Sequence, residues 1–179
     1  AGLKYEPTNF DGLFTVAYYD MRQKNVTRHL GHGIIRQLGK VKSRGLELEG
    51  TAQLDQGWDL RGSYSYNKTE QVGGTENGNE MPNAPEHTAN LWVEREWGNG
   101  FRVGGGVRYI GNRKGDFANV YDLDDVTLLD LGASYTRDNI EARLNVANLT
   151  DKVYVANCGS FGCFYGEGRT VTAKVSYKW

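Results

Sequence analysis

The stretch from Arg169 to Trp179 reads R-T-V-T-A-K-V-S-Y-K-W, with Val171, Ala173, Val175, Tyr177 and Trp179 apolar and polar residues between them. Successive side chains of an extended chain point to opposite faces, so this period of two marks a strand with one apolar and one polar face. Its length matches the about 9–11 residues of a membrane-crossing strand. The alternation recurs upstream. Ala1 to Glu6 is a short strand, and Leu13 to Arg22 carries Phe14, Val16 and Tyr18 on one side. Leu46, Leu48, Gly50, Ala52 and Leu54 oppose Glu47, Glu49, Thr51 and Gln53, and Trp58, Leu60, Gly62, Tyr64 and Tyr66 oppose Asp59, Arg61, Ser63 and Ser65. Phe101 to Tyr109, Leu129 to Tyr135 and Ile140 to Val146 repeat the pattern. His87 to Trp97 is less regular: Arg95 shares the apolar set of Ala89, Leu91, Val93 and Trp97, while Trp92 falls opposite. At a strand end Arg95 can snorkel to the interface, where a charge costs about 0–1 kcal/mol rather than about 2–4 at the midplane.

The connections alternate in length. Pro7 to Gly12, Asp55 to Gly57, Gly98 to Gly100 and Arg137 to Asn139 are short; Gln23 to Lys40, Asn67 to Glu86, Gly111 to Asp125 and Thr150 to Gly168 are long. Outer-membrane barrels have short periplasmic turns and long extracellular loops. A soluble sandwich also has many short strands, but its loops need not alternate in this way. With the long loops outside, Trp179 falls at the periplasmic end and the first strand descends, which makes nine strands. Single-chain bacterial barrels have an even number, so the pattern predicts part of a larger barrel, incomplete on its N-terminal side. The fold expected is all-β, an antiparallel transmembrane β-barrel segment.

Composition narrows the class. Net charge is -1, which gives no electrostatic case for a nucleic-acid partner. No run approaches the about 18 apolar residues of a transmembrane helix. The 24 glycines are roughly twice the usual share of about 7%, which suits tight turns and closely packed strands. Cys158 and Cys163 sit in C-G-S-F-G-C. Two thiols cannot close a structural zinc site, and a redox pair more often reads C-x-x-C. The favoured reading is a disulfide formed in an oxidising compartment; free buried cysteines are the alternative.

Other chemistry is weak. His29 and His32 flank L-G, too few donors for a metal site, and solvated loop histidines are the simpler reading. Asp122, Asp124 and Asp125 lack the glycine and terminal glutamate of a calcium loop and read as exposed carboxylates. Glu47, Glu49, Arg61, Arg102, Arg108, Glu141 and Arg143 share the polar face, either to guide an anionic ligand or as a hydrated wall of mixed charge. His87 reads as a strand-start residue. No catalytic arrangement stands out, and no metal or covalently bound cofactor is expected.

Four segments resemble the C-terminal part of TonB-dependent siderophore receptors: S-R-G-L-E-L-E-G at Ser43–Gly50, G-W-D-L-R-G-S-Y-S-Y at Gly57–Tyr66, M-P-N-A-P-E-H-T-A-N-L-W at Met81–Trp92, and L-N-V-A-N-L-T-D-K-V-Y-V-A-N-C at Leu144–Cys158. The last continues through C-F-Y-G-E-G-R-T-V, and a cysteine pair just before Y-G-E-x-R looks like the hydroxamate branch, the ferrichrome and ferrioxamine receptors. The resemblance implies that residues 1–179 are the last eight or nine strands of a 22-stranded, plugged barrel. The plug, the TonB box and about thirteen further strands are expected outside these residues. It implies a bacterial outer-membrane location and a ferric siderophore as transported ligand. The implied partners are the TonB–ExbB–ExbD complex reached through the plug, outer-membrane lipid and lipopolysaccharide, and the barrel-assembly machinery. Tyr177 and Trp179 would carry the assembly signal, with tryptophan where the family commonly ends on phenylalanine.

Aromatic side chains of the loops are then the candidates for ligand contact: Phe117, Tyr121, Phe161, Phe164 and Tyr165. Phe161, the only aromatic between the cysteines, is the first choice; packing of loop against loop is the other reading of all five. A small self-contained structural or adhesive barrel is the competing function. It predicts an even strand count and closure of the first strand on the last.

Overall fold

The computed structural model describes residues 1–29, 34–159 and 162–179. Strands β1 (Gly2–Tyr5), β2 (Asp11–His29), β3 (Ile35–Leu54), β4 (Trp58–Val72), β5 (His87–Trp97) and β6 (Phe101–Ile110) follow one another as antiparallel neighbours. After β7 (Arg113–Lys114) and β8 (Asp122–Leu123), which pair only with each other, β9 (Val126–Arg137) and β10 (Ile140–Ala147) rejoin the sheet. β11 (Val155–Gly159) and β12 (Gly162–Tyr165) form a separate hairpin, and β13 (Thr170–Tyr177) completes the order β1-β2-β3-β4-β5-β6-β9-β10-β13. Among the described residues this nine-stranded sheet does not close: β1 and β13 are its edges.

The register aligns the two faces across the whole sheet. Tyr18, Leu46 and Tyr66 stand in one cross-strand row, and Val16, Leu48, Tyr64 and Ala89 in the next. A separate row on the same face, nearer the short turns, joins Trp58 and Arg95 to Val103, Ala133, Leu144 and Ala173. Slipping any strand by one residue would exchange its apolar and polar faces. The apolar face has no protein layer over it: Phe14, Val16, Leu91, Leu131, Leu144 and Val175 are exposed. The only buried apolar side chains among the described residues, Leu123, Val126 and Leu128, lie at the loop end, where β8 leads into β9.

Two stretches expected to be loops are strand. β2 and β3 pair from Arg22↔Lys42 through Lys24↔Lys40 to His29↔Ile35, across a bulge at Asn25 (φ 58), and β4 continues past Tyr66 to Val72. Both faces of these extensions are mostly polar, with only scattered apolar residues such as Val26, Ile35 and Val72, so the period-two signal vanishes while the backbone ladder continues. Arg95 lies between two indoles, its guanidinium carbon 5.3 Å from the Trp58 and 5.3 Å from the Trp97 ring centroids. Cation–π attraction thus holds the one charge of the apolar set at its short-turn end. β13 places Val171, Ala173, Val175 and Tyr177 opposite Val146, Leu144, Ala142 and Ile140, as its alternation requires.

Candidate functional site

The loop ends of the strands are knitted together on the polar face. Gln71, 1% exposed, donates from Nε2 to the carbonyls of Glu80 and Phe117 at 3.1 and 3.2 Å, and Asn79 Nδ2 donates to the same Phe117 carbonyl at 2.9 Å. Asn119 and Glu80 exchange two bonds: the Glu80 amide donates to Asn119 Oδ1 at 2.7 Å and Asn119 Nδ2 to the Glu80 carbonyl at 3.0 Å. Arg28, near the top of β2, stacks on the Phe117 ring at 4.5 Å and reaches Glu76 at 3.5 Å. Side-chain amides replace a strand ladder here, which satisfies loop backbone that would otherwise be buried without partners.

The cysteine hairpin is fastened to the same body. Cys158 and Cys163 form the expected disulfide and are register partners. Asn83 donates from Nδ2 to the Cys158 carbonyl at 2.7 Å and accepts from the Cys158 amide at 2.9 Å. Arg113, 4% exposed, donates through Nη2 to the carbonyls of Val155 and Ala156, each at 2.7 Å. Burial lowers its pKa, the cost of holding a cation there. Its neighbour Lys114 is bonded to Asp122, which raises the lysine pKa.

At the foot of this region the N-L-T-D-K segment becomes intelligible. Asn148, 2% exposed with φ 49, donates to the carbonyls of Lys152 and Glu167 and accepts from the Lys152 amide. Its own amide donates to Asp130 Oδ1 at 2.9 Å, and Asp130 also receives Arg108 at 2.5 and 2.9 Å. Asp151 Oδ1 accepts from the Arg169 amide at 2.7 Å, where the chain enters the last strand. Gly166 lies against the Tyr154 ring, where a Cβ would come within 2.0 Å of Cζ.

Of the sequence-predicted aromatics, Phe117 is half-buried under Arg28 and held by its carbonyl. Tyr121, Phe164 and Tyr165 are exposed. Tyr165 lines a shallow hollow with Arg108, Tyr154 and Glu167. Among the described residues no ring–ring contact joins Tyr121 to Phe164 or Tyr165. Phe161 lies outside the described residues, as do His32 and the side chain of His29. Asp122 pairs with Lys114, whereas Asp124 and Asp125 are exposed. His87 begins β5 and bonds through Nδ1 to the Tyr64 hydroxyl at 2.8 Å.

Lower on the polar face the charges neutralise one another. Arg61 meets Asp59 at 2.9 Å and Glu94 at 3.8 Å; Arg102 meets Glu94 at 3.1 Å and also bonds Glu96; Arg143 meets Glu141 at 2.5 Å. Trp92 lies among them, donating its indole N–H to Glu94 at 3.0 Å. Its ring rests on Gly104, Gly106 and Gly132, where Cβ atoms would stand 2.8, 2.6 and 3.2 Å from it. Sequence alternation placed Trp92 on this face; the glycine floor beneath it required the register of three strands.

A family model described as the TonB dependent receptor-like β-barrel matches residues 1–149. The ferrioxamine receptor of Yersinia enterocolitica is 36% identical over 98% of this chain, which spans 26% of that protein. The ferrichrome outer membrane transporter/phage receptor of Escherichia coli K12 is 30% identical over 99% of the chain and 26% of its own length. Among solved structures, the siderophore receptor PiuA from Acinetobacter baumannii superposes with a TM-score of 0.83 at 25% identity, over 99% of this chain and 28% of that one. The ferric yersiniabactin uptake receptor FyuA from Yersinia pestis, at 20% identity, shares the fold with a TM-score of 0.84 over 98% of this chain and 28% of its own. The chain thus spans about a quarter of the length of the relatives it matches.

Proposed function

Because the chain belongs to the TonB-dependent receptor β-barrel family, we propose that residues 1–179 are the C-terminal wall of an outer-membrane receptor that takes up a ferric siderophore of the hydroxamate type. The likeness to receptors named for ferrioxamine and ferrichrome carries the reading, and the disulfide hairpin is consistent with it. The apolar face meets lipid and the polar face lines the lumen. Recognition and gated passage are the chemistry, with no bond made or broken. The plug and the remaining strands belong to the rest of the parent protein, and energy arrives from the TonB–ExbB–ExbD complex through that plug. Barrel assembly reads the alternation that ends in Tyr177 and Trp179.

Aromatic and polar groups on the loop side suit a bulky ligand with polar iron-chelating groups. Tyr121, Phe164 and Tyr165 are free to contact it, and Phe161 is proposed with them from its place between the cysteines. Phe117 is the weakest of the five, since Arg28 covers its ring. The test is iron-limited growth of a strain without hydroxamate receptors, carrying the full-length gene, on ferrioxamine B or ferrichrome. Growth that disappears when TonB is deleted is the expected result. Growth on ferric catecholates alone would overturn the hydroxamate assignment, and growth on neither would overturn transport.

A further inference from the structure

We propose that the hollow beside Tyr165 is a subsite for a protonated amine carried by the siderophore, with the Glu167 carboxylate as its counter-charge. The inference rests on the hydroxamate reading given above and adds a preference among such ligands. The hollow measures about 290 Å³ and lies between Arg108 of β6, Asn148, Tyr154, Tyr165, Gly166 and Glu167. Arg108 belongs to the polar face of its strand, opposite Leu128 and Asn90, so the hollow sits on the lumen side at the loop end. Sites for whole small molecules run from about 300 Å³ upward. This one therefore takes a single arm of the ligand, while the iron complex itself stays among the loops.

Arg108 and Glu167 are the only charged residues of the lining. Arg108 gives Nε and Nη2 to Asp130 at 2.5 and 2.9 Å, so its charge is cancelled within the wall. Arg113 is buried outside the lining, with Nη2 on the Val155 and Ala156 carbonyls. Glu167 is exposed, and among the described residues its carboxylate has no ion pair. Its backbone is nevertheless fixed. The Glu167 carbonyl accepts from Asn148 Nδ2 at 3.1 Å, and the Gly166 amide donates to the Tyr154 carbonyl at 2.9 Å. A free carboxylate on a fixed backbone, beside two tyrosines, suits an alkylammonium group. The carboxylate offers a charge-assisted hydrogen bond, and aromatic faces attract a cation. An anionic arm would meet Glu167 as a like charge, which disfavours it.

The test measures binding of two probes to the purified full-length receptor: a linear ferric trihydroxamate ending in a primary amine, and the same complex acetylated at that amine. The expected result is tighter binding of the amine form by up to about fivefold, the worth of one partly exposed ion pair. The preference fades as salt rises. Glu167→Gln abolishes it by weakening the amine form alone, and the acetylated form keeps its affinity. Equal binding of the two forms by the unaltered receptor overturns the inference, as does a preference that survives in Glu167→Gln. Equal weakening of both forms in that variant also overturns it, since Glu167 would then support the loop without reading charge. Binding of neither form by the unaltered receptor overturns the hydroxamate assignment and the inference with it, whereas equal binding of both leaves that assignment standing.

Discussion

A Cβ at Gly106 would lie 2.6 Å from Trp92 Cε3 and 2.8 Å from the Leu91 carbonyl oxygen, whereas at Gly62 it would meet nothing nearer than 3.6 Å. Gly106→Ala in the full-length receptor is therefore expected to displace the indole and destabilise by about 1–3 kcal/mol, the usual cost of overpacking. Gly62→Ala should stay within about 0.5 kcal/mol; thermal melts of the two variants distinguish them, and equal midpoints would remove Trp92 as a packed element of the lumen wall. Asn148 makes the complementary point about polar groups. Asn148→Ala leaves the Lys152 amide and the Lys152 and Glu167 carbonyls without their partner, at about 1–3 kcal/mol for each group that stays buried. Faster proteolysis between residues 148 and 169 is the readout. At the ligand surface, Tyr165→Ala and Phe161→Ala are each expected to weaken ferric hydroxamate binding by up to about tenfold, the worth of one aromatic contact. Unchanged affinity would remove the residue from the site.

At the scale of elements, the sequence is legible where the strands meet lipid and opaque where they leave it. Val171, Ala173, Val175 and Tyr177 are unambiguous because every second residue had to be apolar. Gln23–His29 and Ile35–Lys40 look like loop because, beyond the apolar band, neither face needs an apolar residue, and only pairing shows the strands. The knitted loops are opaque for another reason: amides such as Asn83, Asn119 and Gln71 act through single contacts with distant backbone, which leave no periodic trace. Of the candidate site, the disulfide was readable from its two cysteines, whereas the covering of Phe117 by Arg28, from a strand far upstream, was not. The hairpin supports a prediction at this scale. Cys158→Ser/Cys163→Ser removes a loop constraint worth about 2 kcal/mol in the chain-entropy model. Because Asn83 holds the Cys158 backbone from both sides, amide exchange should quicken around Asn83 as well as in residues 155–165, while β9 and β10 stay protected. Quickening confined to the hairpin would show that Asn83 does not couple the two loops.

For the whole molecule, the decisive facts are the exposed apolar face and the two unpaired edges. β1 and β13 each have one neighbour in the sheet, and the buried apolar side chains among the described residues are confined to the loop end. Such a wall is stable only where lipid covers one face and further strands cover its edges. In lipid, each unpaired backbone group costs several kcal/mol, and in water an open edge recruits other chains. Residues 1–179 expressed alone are therefore expected to aggregate in buffer. Refolded into detergent, they should give no species that resists unfolding in cold SDS, whereas the full-length receptor should. Light scattering and gel mobility of heated against unheated samples read both outcomes. A soluble monomer with native sheet content would mean that the apolar face finds cover within the chain itself, and the lipid-facing assignment of Phe14, Leu91, Leu131 and Val175 would fall with it.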